Sequence, residues 1–277
     1  GYGPSIKGFE ELIQKKVKII FTVDCGTLSF EAINFAKEKG IDVIVLDHHQ
    51  SEINLPKAFS VINPNRLDDK SNLQYLCAAG VSFMFLVALN RALRSKNWFK
   101  SKNINEPNLI NYLDLVSLGT VCDVVPLVGL NRAIVKQGLK ILKAKKNLGL
   151  KTLLDVCKVE TNPSMYHLGY VLGPRINAGG RVGKCSHGAN LLLNSNPKEV
   201  YRLATELNEF NKERQMLEKN LIEKILSESK GKLKDPVLIL HGKNWHEGVI
   251  GIVAARLKDK FNKPTIIISI NKEFVKA

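Results

Sequence analysis

Two short apolar runs, each halted by residues that are costly to bury, constrain the fold of this chain more than any other feature. Lys18-Ile19-Ile20-Phe21-Thr22-Val23 stops at Asp24-Cys25-Gly26, and Ile41-Asp42-Val43-Ile44-Val45-Leu46 stops at Asp47-His48-His49. The stretch between them, 29–39, has a helical period, so the region reads as strand, helix, strand, a parallel βαβ unit. Open α/β sheets bind ligands where their strands end, which predicts that Asp24, Asp47, His48 and His49 share one crevice. An Asp at a strand end also serves as a turn former or helix N-cap, and that plain role suffices for Asp24 alone. It fits the Asp-His-His triplet poorly, because adjacent imidazoles after a buried strand cost desolvation unless something binds them.

At 277 residues and 44% hydrophobic content the chain is large enough for two globular domains. Its 41 Lys and Arg against 26 Asp and Glu leave a formal charge of +15, which favours a polyanionic partner such as nucleic acid. Five cysteines, Cys25, Cys77, Cys122, Cys157 and Cys185, form no paired spacing, arguing against a disulfide framework or zinc knuckle and for a reducing cytoplasm. No run of apolar residues is long enough to span a bilayer. The opening Gly1-Tyr2-Gly3-Pro4 has neither an initiator Met nor a signal-peptide pattern, so the chain is expected to begin inside a longer protein.

Along the chain, an amphipathic stretch around 5–16 precedes the βαβ unit, and Phe59-Ser60-Val61-Ile62 forms a further strand stopped by the turn Asn63-Pro64-Asn65. Helices follow at about 78–94, 107–118, 131–144 and 148–157; the first is apolar nearly all round and predicts a core helix. Ser117 to Leu127 reads as a hydrophobic loop with Asp123 buried in it, and a lone buried Asp needs a partner. Residues 198–230 lack Gly and Pro and predict one long helix with seven basic and seven acidic residues, so the +15 resides elsewhere. Such a helix is either a packed element or a spacer. The spacer reading gains from Gly231 and from the fresh strand, helix, strand pattern that starts at Pro236-Val237-Leu238-Ile239-Leu240.

The acidic and imidazole clusters at 24, 47–49 and 123 lie in different elements, a pattern that suits hard divalent ions such as Mn²⁺ or Mg²⁺. Two such ions about 4 Å apart activate water and stabilise a leaving oxygen, which points to phosphoester hydrolysis.

Val-Asp-Cys-Gly, Leu-Asp-His-His and Gly-Thr-Val-Cys-Asp-Val-Val-Pro-Leu resemble the second, third and fourth motifs of the DHH phosphoesterase superfamily. The resemblance continues through the stretches 173–181, Gly-Pro-Arg-Ile-Asn-Ala-Gly-Gly-Arg, and 245–257, Trp-His-Glu-Gly-Val-Ile-Gly-Ile-Val-Ala-Ala-Arg-Leu. Within the superfamily it is to the bacterial single-strand-specific DNA exonucleases, and it spans essentially the whole chain. By position it implies Asp24, His48 and Asp123 as metal ligands, His49 on metal or the scissile phosphate, and Asp47 as a catalytic residue or the acceptor that orients its neighbours. Gly119 and Thr120 go to loop geometry, and neither Cys25 nor Cys122 gains a catalytic role.

Arg175, Asn177 and Arg181, in a stretch rich in small residues, suit close approach to a phosphate backbone, and the resemblance makes that stretch the DNA-phosphate contact. Gly179 replaces a more usual alanine there. His246, after Trp245 and before an apolar helix, suits a stacking or phosphate role at a helix N-terminus or a packing role at a domain interface. Tyr2 resembles the family residue near the strand's 5′ end. The family begins with an Asp-rich motif upstream of Gly-Tyr-Gly-Pro and ends beyond Ala277, so the resemblance implies that metal ligands are missing here and that the chain is a fragment.

The implied architecture is α/β: a parallel-sheet DHH phosphoesterase domain with a helical part (1–197), a long connecting helix (198–230), and a second, truncated α/β DHH-associated domain (231–277). The implied function is removal of nucleotides from the 5′ end of single-stranded DNA in recombination and repair by two Mn²⁺ or Mg²⁺ ions, with a basic groove too narrow for duplex. Single-strand-binding protein and a helicase are partners by resemblance; a cytoplasmic monomer without membrane contact is the default. Two other functions fit some of the same residues: a phosphodiesterase for short oligonucleotides or cyclic dinucleotides, and a non-catalytic single-strand binder.

Overall fold

In the computed structural model, which describes residues 3–228, 234–271 and 275–277, the two apolar runs become adjacent parallel strands. β1 (Ile19–Val23) pairs with β2 (Asp42–Leu46), which pairs in parallel with β3 (Ser60–Ile62) in the order β1-β2-β3. The register sets Val23 opposite Leu46 and Leu46 opposite Ile62, so all three strands end at one level. Backbone bonds extend the ladder past the strands: Asp24 N donates to Leu46 O at 3.0 Å and Asp47 N to Ile62 O at 3.1 Å. The predicted crevice edge is therefore real, and it is set by strand register.

Between β1 and β2 runs α2 (Phe30–Glu38), preceded by α1 (Ile6–Gln14), which is capped by the Ser5 hydroxyl. Ala32, Ile33 and Ala36 of α2 recur at helical spacing and pack with Phe9 of α1 and with Ile20, Val43, Val45 and Val61 of the strands. Full burial of each such large aliphatic side chain contributes roughly 1.5–3 kcal/mol, which fixes the strands whose ends carry the site.

The helical part departs from the sequence reading in two places. α3 (Ala78–Ser95) buries only Ala78, Gly80, Val81 and Asn90, while Leu86, Val87 and Leu89 are exposed. An apolar helix becomes a core helix only where neighbours cover every side, and among the described residues that face of α3 has no such cover. Second, after a short α4 (Trp98–Ser101) and a 3₁₀ turn (Leu109–Tyr112), α5 (Leu113–Cys122) runs through the stretch expected to be a loop. Gly119 and Thr120 are helical: a Cβ on Gly119 would meet the Ala79 Cβ at 2.7 Å, and the Thr120 hydroxyl donates to Val116 O at 2.7 Å. Its glycine lets α5 approach α3 closely.

α6 (Gly129–Lys143) packs against α5 with Leu113, Val116 and Ile134 buried between them. At the crossing a Cβ on Gly138 would lie 1.9 Å from the Ser117 hydroxyl and 2.2 Å from the Leu113 carbonyl oxygen. Gly138→Ala must therefore push the helices apart, and a thermal melt should show a loss of about 1–3 kcal/mol.

The chain divides into two compact units, the first taking in the described residues up to Lys146 with Pro163–Gly169, the second Asn147–Asn162 and Tyr170 onward. This division falls well before residue 197. In the second unit α7 (Leu148–Val156), α8 (Gly173–Val182) and α9 (Ser186–Leu193) pack on α10 (Pro197–Glu228), the long helix. Farther along, Leu221 and Ile225 of α10 enter a core with β4 (Leu238–Lys243), α11 (Glu247–Phe261) and β5 (Thr265–Ile270). The long helix is thus a packed element along its length and not a free spacer, because its apolar residues are covered first by helices and then by α11. Gly231, expected to end it, lies outside the described residues. β4 and β5 are parallel and β6 (Val275–Lys276) joins β5 antiparallel.

Glu218 fastens α10 to α11. Its buried carboxylate pairs with Arg214 at 2.8 Å on its own helix and with Arg256 at 3.0 Å on α11. Glu218→Ala would leave Arg214 half-buried without its anion, and chemical denaturation should register a loss of about 2–3 kcal/mol. Among the described residues no helix is long and apolar enough to cross a membrane.

Candidate functional site

Four of the five residues expected at the strand ends and beyond them converge around His48. Its Nε2 lies 3.2 Å from Asp24 Oδ1 and 3.4 Å from Asp123 Oδ2. One ligand atom from each of Asp24, His48 and His49 falls within 4.8 Å of the others, and the two imidazole rings are 4.7 Å apart, tilted by 58°. Asp24 reaches the cluster from a left-handed backbone, φ 62°, just past β1. Asp123 comes from the C-terminal end of α5 and is partly exposed, not buried in a loop as its apolar neighbours suggested.

Asp47 is different: it is only 1% exposed, and both oxygens are occupied by protein donors. Oδ2 accepts from Thr27 N at 3.0 Å; Oδ1 accepts from His48 N at 2.8 Å, His49 N at 3.3 Å and His49 Nδ1 at 2.7 Å. Burial raises the pKa of this carboxyl, but the bonds from His49, Thr27 and His48 outweigh it and hold it at about 2. The bond to Asp47 likewise raises the pKa of His49. With its Nδ1 proton donated in the bond to Asp47, His49 keeps the Nε2 lone pair available to a ligand.

Residues that carry no motif of their own complete the frame. Asn63, 3% exposed, donates to the Thr27 hydroxyl and to His49 O, both at 2.8 Å. Asn65 donates to His48 O at 2.5 Å, and its own amide is held by Asn63 Oδ1 at 2.8 Å. The sequence signals these two only as a turn around Pro64.

The donor set suits a hard divalent cation. Among the described residues no Lys or Arg lies within ion-pair distance of Asp24, Asp47 or Asp123, although the chain carries a +15 excess. Asp123 is moreover an anion at a helix C-terminus, where the backbone dipole disfavours it. Burial, with Asp24 nearby, pushes its pKa up against the pull of His48 and His49. Carboxylate oxygens and imidazoles without a counter-cation match Mn²⁺ or Mg²⁺ chemistry. The thiols do not join it: burial, then Asp47 and Asp24, raise the pKa of Cys25, and burial lifts Cys122 to about 11, leaving both protonated and poorly nucleophilic. Beside the cluster, a cavity of about 500 Å³ is lined by Asp24, Ser82, Gly119 and Asp123 among others.

In the second unit the expected phosphate-contact stretch is helix α8, not a glycine-rich loop. A Cβ on Gly179 would come 3.2 Å from Leu207 Cδ2, so its smallness serves helix packing. Arg175 is spent internally, donating to Asn208 Oδ1 at 2.9 Å and to Val171 O at 2.8 Å, while Asn177 is exposed. Arg181 donates to Gly248 O at 3.0 Å and lines a cavity of about 470 Å³ with His246, Asn244, Asn271 and Lys276. His246 caps α11, its Nδ1 accepting from Gly248 N at 3.1 Å. Trp245 is buried and belongs to the core. The structure thus gathers Arg181 and His246 and leaves Arg175 and Asn177 off that cavity; Tyr2 lies outside the described residues.

Known proteins resemble this chain over most of its length. Residues 4–120 match the family model for the DHH family, N-terminal domain. The chain is 40% identical over 273 residues to the single-stranded-DNA-specific exonuclease RecJ of Salmonella typhimurium, covering 96% of this chain and 47% of that protein, and equally to its Escherichia coli counterpart. The crystal structure of RecJ from Thermus thermophilus in complex with Mn²⁺ matches with a TM-score of 0.80 at 30% identity, over 96% of this chain and 38% of that one. The chain spans about half the length of the curated relatives it matches. The Asp-His-His triplet at the end of β2 thus lies within the stretch that matches the DHH family, N-terminal domain, and nearly all of the chain is similar to RecJ.

Proposed function

We propose that the protein is a metal-dependent 5′-to-3′ exonuclease specific for single-stranded DNA, acting in recombination and repair. The observation that carries the reading is the convergence of Asp24, His48, His49 and Asp123 with no counter-cation. The similarity to single-stranded-DNA-specific RecJ exonucleases, one of them crystallised with Mn²⁺, supports the same substrate and ions.

In this reading Asp24, His48 and Asp123 hold Mn²⁺ or Mg²⁺, two ions in the intact enzyme, and His49 presents Nε2 to metal or to the scissile phosphate. The ions, when bound, supply Lewis-acid activation of water and neutralise charge on the phosphate. Asp47 acts as a positioning residue: it fixes the His49 tautomer through Nδ1 and accepts from the backbone N–H of both histidines. Arg181 and His246 contact the strand's phosphates beside the α11 N-terminus, where backbone N–H groups favour anions. Arg175 and Asn177 shape the same stretch, and Tyr2 meets the 5′ end. The protein works as a cytoplasmic monomer, alongside single-strand-binding protein and a helicase.

Digestion of end-labelled single-stranded and duplex DNA with Mn²⁺ by the intact enzyme, with the upstream Asp-rich motif that the resemblance implies, tests the proposal. Release of nucleotides from the 5′ end of single strands only, abolished by a chelator, is the expected result. Cleavage confined to short oligonucleotides or cyclic dinucleotides, or binding without cleavage, would contradict it.

A further inference from the structure

The positive charge of the first unit is segregated. Residues 1–90 hold nine Lys and Arg against ten Asp and Glu, whereas residues 91–146 hold eleven against three. Four of the eleven, Arg132, Lys136, Lys140 and Lys143, lie on α6 at spacings of four, four and three. At 100° per residue those positions fall within an arc of about 80° and span about 16 Å along the axis. All four are exposed, and they oppose the face that buries Asn131, Ile134, Val135, Gly138 and Leu142.

A helix face that is merely solvated looks different in this same chain. α10 alternates its charges and pairs them along the helix, Arg202 with Glu199 and Glu206, Lys212 with Glu209 and Lys219 with Glu223. No acidic residue occurs from Val124 to Leu154, and among the described residues none of the four α6 cations has an ion-pair partner. Like charges at i and i+4 repel and destabilise a helix, so the stripe is a cost that an external anion would remove. The repeat of about 6 Å per four residues suits a polyanion with regularly spaced charges. An aromatic accompanies it: the 3₁₀ turn that packs on α6 carries Tyr112, 52% exposed, and Asn111 of that turn is bonded to Lys146 at 3.1 Å.

We propose that the exposed face of α6 is a second nucleic-acid track. Arg132, Lys136, Lys140 and Lys143 hold the phosphodiester backbone of single-stranded DNA away from its reacting end, and Tyr112 offers a stacking surface for a base. The combination favours a nucleic acid over an acidic protein, since phosphates meet cations at a regular repeat while a base needs the ring. The inference rests on the exonuclease reading for its substrate, and it extends that reading to DNA outside the catalytic cluster.

The test compares the protein with a variant carrying Arg132→Gln, Lys136→Gln, Lys140→Gln and Lys143→Gln, and with Tyr112→Ala. Binding of long labelled single strands is measured in EDTA across a salt series, and cleavage of long and very short strands in Mn²⁺. The quadruple variant should bind long strands at least about tenfold more weakly at low salt, with the slope of log K against log salt shallower by about 2 to 3. Tyr112→Ala should weaken binding without changing the slope, and turnover of very short strands should stay within twofold for both. Unchanged affinity and slope would overturn the track, as would equal losses on short and long strands, or a stripe that affects only an acidic peptide offered as competitor. Should the quadruple variant melt early, Lys136→Gln alone should still make the slope shallower, by about 0.7. A protein that cleaves nothing yet loses salt-dependent binding in the variant would refute the exonuclease reading and leave the track standing.

Discussion

In the intact enzyme of the proposed exonuclease, Asp123→Ala is expected to lower Mn²⁺-dependent cleavage of single-stranded DNA by about a thousandfold, a loss of about 4 kcal/mol in transition-state stabilisation. The carboxylate is partly exposed at the end of α5, contributes nothing to a buried core, and faces His48 across 3.4 Å. Its removal should therefore leave the melting temperature nearly unchanged, or slightly raised, since an anion leaves a helix C-terminus. Steady-state turnover beside a thermal melt separates the two effects. A variant that retains more than a tenth of the activity would remove Asp123 from the site.

Asp47→Asn should instead cost both stability and activity. Four donors converge on the two Asp47 oxygens, and an amide replaces one acceptor by an N–H that faces another N–H. With the residue 1% exposed, water cannot relieve the conflict. Loss of charge-assisted bonds in such a place costs about 3 kcal/mol, and loss of an orienting acceptor lowers metal affinity or activity about 10–100-fold. Urea unfolding and a Mn²⁺ activity titration give the two numbers. Wild-type stability with reduced activity would mean that Asp47 meets the ions or the substrate directly.

Much of this site is legible in the chain because strand ends are marked twice, by an apolar run and by the residue that stops it. Asp24 and the Asp-His-His triplet follow directly from that rule, and parallel pairing does the rest. Asp123 is harder, since nothing local shows that α5 carries it to His48; only the family pattern relates 123 to 47–49. Thr27, Asn63 and Asn65 are invisible beforehand because their work is long-range hydrogen bonding, and Asn63-Pro64-Asn65 reads as a turn whatever its amides reach. Helix composition misleads where cover decides burial. The apolar α3 keeps Leu86 and Leu89 exposed, and the glycine-rich stretch at 173–182 is a helix whose small residues serve packing. The long helix is recognised by its lack of Gly and Pro, yet its packing on α7, α8, α9 and α11 depends on partners far along the chain.

The central claim is that Asp24, His48 and Asp123, with His49, hold divalent metal. Direct Mn²⁺ binding, followed by electron paramagnetic resonance in the wild type and in Asp24→Asn and His48→Gln, tests it without reference to any substrate. Saturable binding in the wild type, weakened at least about tenfold in each variant, is the predicted result. Equal binding in all three proteins, or none in any of them, would contradict the account.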